Sequence, residues 1–243
     1  MGAEPQGAGD REQVAAAVQR MFTDIAPRYD LLNHLLSFGV DHYWWWRTAR
    51  SFEHVLREEN SRILDLCCGT GDLTLALRRR AGKSSPRIIG ADFSHAMLRR
   101  AARKSSAQNL RWVEADALRL PFADADFDLV VSSFGFRNLA DYDAGLREMV
   151  RVLRRGGEVG ILDFGQPRGF LGALYRVYFH RVLPALGTLI SGVAGPYEYL
   201  PASVERFPAP QEMQERMRAV GLSEVSWTPY TFRVAGLFRG RKL

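Results

Sequence analysis

Short apolar runs alternate with amphipathic segments of helical period through the middle of the chain, beginning at Ser61. Strands separated by helices of about ten residues are typical of a parallel sheet covered by helices on both faces. The run from Phe127 to Ser132 is nearly all apolar at its centre, as a strand buried on both faces requires. The predicted strands are 62–66, 87–91, 110–114, 127–132 and 158–164, and the helices between them 72–81, 96–103 and 142–152. The pattern predicts an α/β fold with a Rossmann-like, doubly wound sheet.

Helical segments precede this alternation and interrupt it after the fifth strand. Residues 22–58 are predicted as N-terminal helices on the substrate side, the first ending at Trp46 and the next running to about Glu58. Residues 167–206 are mainly helical and unusually apolar. Because they follow the fifth strand at the ligand-binding edge of the sheet, we expect them to form a cap.

The C-terminal part, 209–243, is predicted as a helix that stops at Gly221, followed by two strands. The strands, 224–228 and 231–239, are joined through Pro229 and Tyr230. The last strand is expected to be antiparallel in a mostly parallel sheet. The whole chain, 1–243, is therefore predicted to form a single domain, with a flexible tail at 1–12 and a cofactor-binding core at 61–165.

Composition and cysteine content limit the class of protein. The chain has 243 residues, of which 47% are hydrophobic and 25% charged, and no uninterrupted apolar run long enough to span a bilayer. The first ten residues lack an apolar core, so no signal peptide is expected and the predicted location is cytoplasmic. The two cysteines, Cys67 and Cys68, are adjacent and cannot form a normal disulfide with each other, which fits a reducing compartment. They also offer too few ligands for a metal site, and none is predicted.

The net charge of +6 comes mostly from arginine. The basic clusters are Arg78-Arg79-Arg80, Arg99-Arg100, Arg154-Arg155 and Arg239-Gly240-Arg241-Lys242. These clusters are most often solvated helix faces and strand ends, and attraction to an anionic membrane surface or to nucleic acid is the alternative. They carry no interleaved aromatic residues, which disfavours an RNA groove. The prediction is transient membrane-surface contact and no nucleic-acid partner.

The turn after the first strand carries the most informative motif, Ile63-Leu64-Asp65-Leu66-Cys67-Cys68-Gly69-Thr70-Gly71-Asp72. A glycine turn between a strand and a helix presents backbone N–H groups to a ligand. A dinucleotide fold requires a third glycine in the first turn of the helix, and Asp72-Leu73-Thr74 stands there instead. Asp65 would also repel a pyrophosphate but favour a cation. The motif therefore disfavours a nicotinamide oxidoreductase.

Three successive strands each end at or near an acid: Asp65, Asp92 and Asp116. The carboxyl ends of parallel strands meet at one edge, so the three acids are expected to line a nucleoside pocket. Asp92, which lies 21 residues after Gly71, can accept hydrogen bonds from both ribose hydroxyls. The alternative is local: each acid caps a neighbouring helix or turn.

The turn resembles motif I of class I S-adenosylmethionine-dependent methyltransferases, D/E-x-G-x-G-x-G, with Cys67 in place of the first glycine. The resemblance implies S-adenosylmethionine as cofactor, whose cationic sulfonium and amino group account for Asp65. It places Asp92 on the ribose, Asp116 and Ala117 at the adenine, and Ser133 near the methionine moiety. The predicted cofactor-binding residues are Asp65, Gly69, Thr70, Gly71, Asp92, Phe93, Asp116, Ala117 and Ser133.

Three further stretches are similar to one family, that of the ubiquinone/menaquinone biosynthesis C-methyltransferases. They are the stretch from Tyr29 to Trp44, Ser133-Phe134-Gly135-Phe136-Arg137-Asn138, and Arg151-Val152-Leu153-Arg154-Arg155-Gly156-Gly157. The departures from the family pattern are Leu32, Asp41 in place of a histidine, Arg155 and Gly165. The resemblance implies C-methylation of a prenylated quinol ring, with demethylmenaquinol preferred over a benzoquinol, and it suggests a homodimer or a larger complex.

This chemistry needs a proton acceptor or a group that stabilises a phenolate near the ring. Arg137 is the first candidate for the stabiliser, with Asn138 orienting the same oxygen; an ion pair of Arg137 with Asp141 or another acid is the alternative. Tyr29, Asp30 and His34 are the alternatives from the N-terminal helix. His34 has the most suitable intrinsic pKa, because imidazole titrates near neutral pH, and a structural role is its alternative. Asp163, at the end of the fifth strand, is expected to support the site.

The cluster Tyr43-Trp44-Trp45-Trp46 cannot be wholly buried, because successive helical residues point about 100° apart. At least one tryptophan is expected at the prenyl entrance or the membrane interface. The segment 170–193 suits an apolar lid, and an ordinary buried cap helix is the alternative. A methyltransferase for RNA or another small acceptor, and a non-enzymatic scaffold, are the rival functions.

Overall fold

The computed structural model describes residues 16, 18–23, 26, 29–105, 107–167, 169–182 and 196–243, and the predicted tail at 1–12 lies outside them. Its centre is a seven-stranded sheet with the order β3-β2-β1-β4-β5-β7-β6. The strands are β1 (Arg62–Leu66), β2 (Arg87–Asp92), β3 (Leu110–Glu114), β4 (Phe127–Ser133), β5 (Leu153–Phe164), β6 (Leu222–Tyr230) and β7 (Ala235–Lys242). The predicted doubly wound α/β sheet is confirmed.

Strand directions divide the sheet into a parallel part and an antiparallel end. β1 lies between β2 and β4, with Leu64 opposite both Ile89 and Val130, and these pairings are parallel, as are those of β2 with β3 and of β4 with β5. β7 pairs antiparallel with both β5 and β6. Parallel strands direct their carboxyl ends to one edge, so the turns after β1, β2, β3 and β4 meet there.

Helices cover both faces of the sheet and bury its apolar side chains. They are α1 (Tyr29–Leu36), α2 (Val40–Ser51), α3 (Glu53–Leu56), α4 (Asp72–Ala81), α5 (His95–Lys104), α6 (Tyr142–Val152), α7 (Gly169–Val177), α8 (Pro196–Arg206) and α9 (Pro210–Ala219). One core packs α6 and α9 against the sheet, around Phe127, Leu146 and Met213. The other packs α2, α3 and α4 on the opposite face, around Phe52 and Leu77.

The N-terminal helices are divided differently from the prediction. The break falls at Ser37–Gly39, where Gly39 has φ 73° and precedes α2, and not at Trp46. All four aromatic residues from Tyr43 to Trp46 therefore lie within α2. Trp44 and Trp45 are buried while Tyr43 and Trp46 are exposed, so the argument from helical geometry is confirmed for this cluster.

The C-terminal strand pair is longer than predicted, and its connection lies elsewhere. Pro229 and Tyr230 belong to β6, where they pair with β7, and the connection is a 3₁₀ turn over Thr231–Arg233. β5 similarly begins at Leu153, directly after α6, so that Gly156 and Gly157 lie in the strand. Cross-strand pairing decides these bounds, and local turn propensity does not reveal it.

The cap after β5 is helical in its described parts. α7 continues into a π-helical turn over Tyr178–Val182, and α8 follows at 196–206, while 183–195 lies outside the described residues. No helix in the described ranges is long and apolar enough to cross a bilayer.

Candidate active site

A cavity of about 370 Å³ opens at the carboxyl edge of the sheet. The ends of β1, β2, β4 and β5 line it from below, and α2 and the cap line it from above. Twelve of the thirteen predicted cofactor-binding and catalytic residues are described with their side chains, and the backbone of the other, Tyr29, begins α1. Of these twelve, His34 and Gly71 are not part of the cavity wall; the ten that line it are Asp65, Gly69, Thr70, Asp92, Phe93, Asp116, Ala117, Ser133, Arg137 and Asn138.

The turn from β1 to α4 follows a path that glycine favours. Cys67, Gly69 and Gly71 all have positive φ, at 55°, 55° and 83°. A side chain on Gly71 would place its Cβ 2.5 Å from the Trp112 ring, so the tight approach of the turn to β3 requires glycine. Cys67 adopts the same left-handed conformation with a side chain, at a conformational cost of about 1 kcal/mol.

Asp65 is fully buried at the cavity wall. Its Oδ2 accepts a hydrogen bond of 2.6 Å from Thr74 Oγ1, while Oδ1 has no hydrogen-bond partner among the described residues. Burial raises the pKa of Asp65 to about 7. A buried carboxylate oxygen without a partner fits a cationic donor, as the amino or sulfonium end of the cofactor provides. The alternative of a helix cap is also present, because the Asp65 carboxylate accepts from Thr74 in the first turn of α4.

Asp92 joins the end of β2 to the glycine turn. Its Oδ2 accepts from the Gly69 N–H and its Oδ1 from the Ser94 N–H, each at 2.8 Å. Burial raises the pKa of Asp92 to about 6. The carboxylate thus organises two loops, and each oxygen keeps a further lone pair that can accept from a ribose hydroxyl.

Asp116 stands at the open side of the cavity. It is exposed, and its Oδ1 accepts from the Leu118 N–H at 2.8 Å, which closes a local turn beyond β3. Asp116 therefore both closes a local turn and lines the cavity. Ala117, which follows it, is buried and lines the same side as Phe93 and Met97.

Ser133, at the end of β4, is held by a residue that sequence patterns did not single out for this role. Trp45 Nε1 donates to Ser133 Oγ at 3.0 Å. The bond ties α2 to the end of β4 although the two residues are 88 positions apart. The sequence argument about the aromatic cluster concerned its exposure, and it did not predict this hydrogen bond.

Arg137 is buried and paired with Asp163. Its Nη1 donates to Asp163 Oδ1 at 3.1 Å and to the Phe134 carbonyl oxygen, and its backbone N–H donates to Asp163 Oδ2 at 3.2 Å. Burial raises the pKa of Asp163, and the Arg137 charge opposes that shift. The alternative of an ion pair for Arg137 is therefore present, but its acid is Asp163, whereas Asp141 caps α6 by accepting from the Ala144 N–H.

Asn138 and His34 have specific partners. Asn138 Oδ1 accepts from the Tyr199 hydroxyl at 3.2 Å, which joins the site to α8 in the cap. His34 Nδ1 lies 2.6 Å from Oδ2 of Asp41, the residue that departs from the family pattern. The side chain of Tyr29 lies outside the described residues.

A cluster of charged residues links α1 to the glycine turn, and sequence reasoning missed it. Thr70 Oγ1 donates to Asp30 Oδ1 at 2.5 Å, and Lys104 Nζ lies 2.9 Å from Asp30 Oδ2 and 2.7 Å from Asp72 Oδ1. Asp30 belongs to the N-terminal stretch that resembles the family. Its pairing with Thr70 shows that this stretch covers the cofactor side of the cavity.

The other half of the cavity is aromatic. Phe134 and Phe164 lie 4.7 Å apart between ring centroids, and Trp44 packs on both. Phe179 and Tyr175 extend this wall into the cap. Arg137 Cζ lies 5.1 Å from the centroid of the Phe164 ring, so its charge stands where the polar half meets the aromatic half.

The sheet order, the glycine turn and the buried acids together define a class I S-adenosylmethionine-dependent methyltransferase. A solved S-adenosylmethionine-dependent methyltransferase from Thermotoga maritima has the same fold, with a TM-score of 0.61 and 18% identity over 92% of this chain and 99% of its own. The carboxylate oxygen of Asp65 without a partner fits this cofactor, which supplies the methyl group to be transferred.

Sequence comparison identifies the family. The profile described as the ubiE/COQ5 methyltransferase family matches residues 9–242, and the chain belongs to that family. A demethylmenaquinone methyltransferase of Thermus thermophilus is 52% identical over 90% of this chain and 99% of its own length. A demethylmenaquinone methyltransferase of Deinococcus radiodurans is 48% identical over 96% of each chain.

Proposed function

We propose that the protein transfers a methyl group from S-adenosylmethionine to a ring carbon of demethylmenaquinol, a step of menaquinone biosynthesis. One observation carries the proposal: Arg137 stands between the carboxylate half of the cavity and its aromatic half. A quinol presents both a hydroxyl and an apolar ring with a prenyl tail, and this arrangement suits both parts. The names of the two similar proteins given above support the naphthoquinol ring.

The two halves of the cavity have separate roles in this proposal. Asp65 holds the cationic end of the cofactor, Asp92 its ribose, and Ser133 borders the methionine moiety. The glycine turn, at Gly69, Thr70 and Gly71, brings the N-terminus of α4 to the cofactor side of the cavity, while the N–H groups of Gly69 and Gly71 are themselves bonded to Asp92 and to the Cys68 carbonyl oxygen. Asp116, Ala117 and Phe93 border the adenine. Aligning the methyl group with the ring carbon supplies much of the acceleration.

Arg137 stabilises the quinol oxygen once it has lost its proton. The new carbon–carbon bond forms from the ring while the carbon–sulfur bond breaks. The methylated ring carbon then loses its hydrogen as a proton while the ring oxygen takes up a proton, so the aromatic quinol is restored with a net release of one proton. Negative charge on the oxygen makes the ring carbon nucleophilic, and a guanidinium held in place lowers the energy of that charge. Asn138, held by Tyr199 of the cap, is placed to orient the same oxygen.

We also infer that the cavity mouth contacts a membrane surface, from which a prenylated quinol is drawn. Leu31, Leu35 and Phe38 on and after α1 are exposed, as is Val177 at the end of α7. Phe38 lies 5.9 Å from Tyr178 between ring centroids, and both line the cavity. An apolar patch continuous with the cavity suits a surface that delivers a lipid-like substrate. The two free thiols fit a reducing, cytoplasmic compartment; a homodimer and the lack of a nucleic-acid partner stay predictions.

The direct test is methyl transfer from labelled S-adenosylmethionine to demethylmenaquinol and to the corresponding benzoquinol, in detergent under reducing conditions, with mass detection. A ring-carbon methyl on the naphthoquinol alone supports the proposal. Methylation of both quinols indicates an enzyme of two pathways. Cofactor binding without transfer to either quinol contradicts the proposal and moves the search to another acceptor, for which bulk RNA is the comparison.

A further inference from the structure

Asp41 and His34 form a hydrogen-bonded pair at the quinol side of the cavity. The His34 Nδ1 to Asp41 Oδ2 distance is 2.6 Å. Asp41 lines the cavity and is 3% exposed, whereas the imidazole of His34 is 31% exposed. The pair therefore connects the cavity wall to solvent.

Two hydrogen bonds orient the Asp41 carboxylate. Its Oδ1 accepts from the His42 N–H at 2.8 Å in the first turn of α2, and its Oδ2 faces Nδ1 of His34. In the tautomer in which Nδ1 of a neutral His34 donates to an ionised Asp41, Nε2 keeps its lone pair. A carboxylate holding one ring nitrogen while the other is free is the arrangement of a general base.

Methyl transfer to the ring releases one proton, and the cavity offers few groups to accept it. Arg137 stays protonated and cannot act as a base. Asp163 is bound to Arg137 and Asp72 is paired with Lys104, while the other cavity carboxylates, Asp65, Asp92 and Asp116, stand on the cofactor side. Asp41 is the carboxylate of the described cavity wall that is bonded to an imidazole.

The other titratable groups around the pair are few among the described residues. The His42 ring stacks on His34 with centroids 4.5 Å apart, and Asp30, one turn earlier on α1, is neutralised by Lys104. Trp45 packs edge-on against both imidazoles. Because the lone pairs of a histidine lie in the ring plane, two stacked rings direct them along separate lines, which favours an acid–base role over metal binding.

We propose that His34, which lies outside the cavity wall and is oriented by the wall residue Asp41, accepts the proton of the quinol hydroxyl through one bridging water and releases it to solvent. The O–H bond breaks, its electron pair stays on the oxygen beside Arg137, and the new N–H bond forms at Nε2 of His34. His34 is thus a catalytic residue, and Asp41 a positioning residue. This inference rests on the proposed function.

The test measures kcat against pH for the wild type and for His34→Gln and Asp41→Asn, with demethylmenaquinol as acceptor. We expect kcat to fall about 100-fold or more in His34→Gln, with cofactor affinity within twofold of wild type. The wild-type kcat should reach a plateau at high pH, whereas the kcat of His34→Gln should keep rising with pH, because hydroxide then replaces the base. Added imidazole should restore part of the activity of His34→Ala. The matched control is His54→Gln, which removes a similar imidazole–carboxylate pair, with Glu158, away from the cavity wall.

The outcomes separate this inference from the proposed function. A wild type that does not methylate the quinol contradicts the proposed function itself. A wild type that turns over while His34→Gln keeps its kcat and pH profile overturns the role of the pair alone. If Asp41→Asn does not fold, His34→Gln and imidazole rescue still decide. Loss of wild-type activity in a chelator, restored by a divalent metal, would also overturn the acid–base role.

Discussion

Gly135 packs directly on Cys67: a Cβ added at Gly135 would lie 2.3 Å from Cβ of Cys67 and 3.0 Å from its carbonyl oxygen. The residue that replaces the first glycine of motif I therefore has its space provided by a glycine in the S-F-G-x-R-N stretch. The two motifs are 68 positions apart in the chain and meet at the cavity wall.

The contact predicts a compensating pair of substitutions. Gly135→Ala should destabilise the protein by about 1–3 kcal/mol and weaken cofactor binding, because the turn must shift. Cys67→Gly should restore much of both in the double variant, because it removes the clashing side chain. Thermal unfolding and calorimetric titration of the two single variants and the double variant measure the coupling. Additive effects would contradict the direct contact.

Replacing Asp65 with asparagine should have opposite effects on the stability of the protein and on cofactor binding. Burial raises the pKa of Asp65 in the folded protein to about 7, above its ordinary value of 3.8, so the folded state binds the proton more tightly than the unfolded chain does. Its stabilising contribution is complete below pH 3.8 and is lost as the pH rises to 7 and above, at about 1.4 kcal/mol per pKa unit. Asp65→Asn should therefore raise Tm by several degrees at pH 8 and little at pH 4, measured without cofactor.

The same substitution should remove cofactor binding and its pH dependence. In the wild type, affinity should fall as the pH drops below about 7, because Asp65 must lose its proton to hold a cation. Asp92, with a pKa of about 6, adds a second ionisation below that range. Calorimetric titration from pH 5.5 to 8.5 measures the affinity. An affinity of Asp65→Asn equal to that of the wild type at pH 8 would disprove the role of Asp65.

Arg137→Ala should lose stability as well as turnover, since it leaves the buried Asp163 charge without its partner. Removing one member of a buried ion pair costs about 3–5 kcal/mol. The double variant Arg137→Gln with Asp163→Asn removes both charges, so it should recover most of the stability. It should still bind the cofactor while turnover falls at least 100-fold. Full turnover in the double variant would show that Arg137 does not act on the quinol oxygen.

Asp30 should control how long the cofactor stays bound, because its contacts with Thr70 and Lys104 close α1 over the glycine turn. Asp30→Asn should increase the cofactor dissociation rate several-fold, and Lys104→Gln should do the same. Stopped-flow measurement of dissociation checks both. Asp124→Asn, which removes an exposed ion pair with Arg151, serves as the control. Unchanged dissociation in both variants would mean that the contacts are only structural.

The exposed patch of Leu31, Leu35, Phe38 and Val177 should decide binding to vesicles. Leu35→Gln together with Phe38→Ser should reduce sedimentation with anionic vesicles severalfold while turnover of a short-chain quinol in detergent is retained. Leu243→Gln, at an exposed apolar residue at the end of the chain, is the matched control. Vesicle binding by the double variant equal to that of the wild type would argue against this patch as the membrane contact.

Local patterns in the sequence determined the alternation of strands and helices, the glycine turn and the placing of three acids at one edge. These features follow from the hydrophobic periodicity of short segments and from the parallel direction of the strands, and both can be inferred from residues that are close together in the chain. The bounds of β6 and the break between α1 and α2 depend on pairing and packing with distant residues, and the sequence did not reveal them.

Contacts between distant residues were decided only by the tertiary structure. Arg137 pairs with Asp163, 26 positions away, and not with its near neighbour Asp141, because β5 lies beside β4 and carries Asp163 to the same edge. Trp45 reaches Ser133 for a similar reason, since α2 folds across the end of β4. The sequence thus indicated ten of the residues that line the cavity, and the packing of helices on the sheet determined the rest of the wall and which residues hold one another.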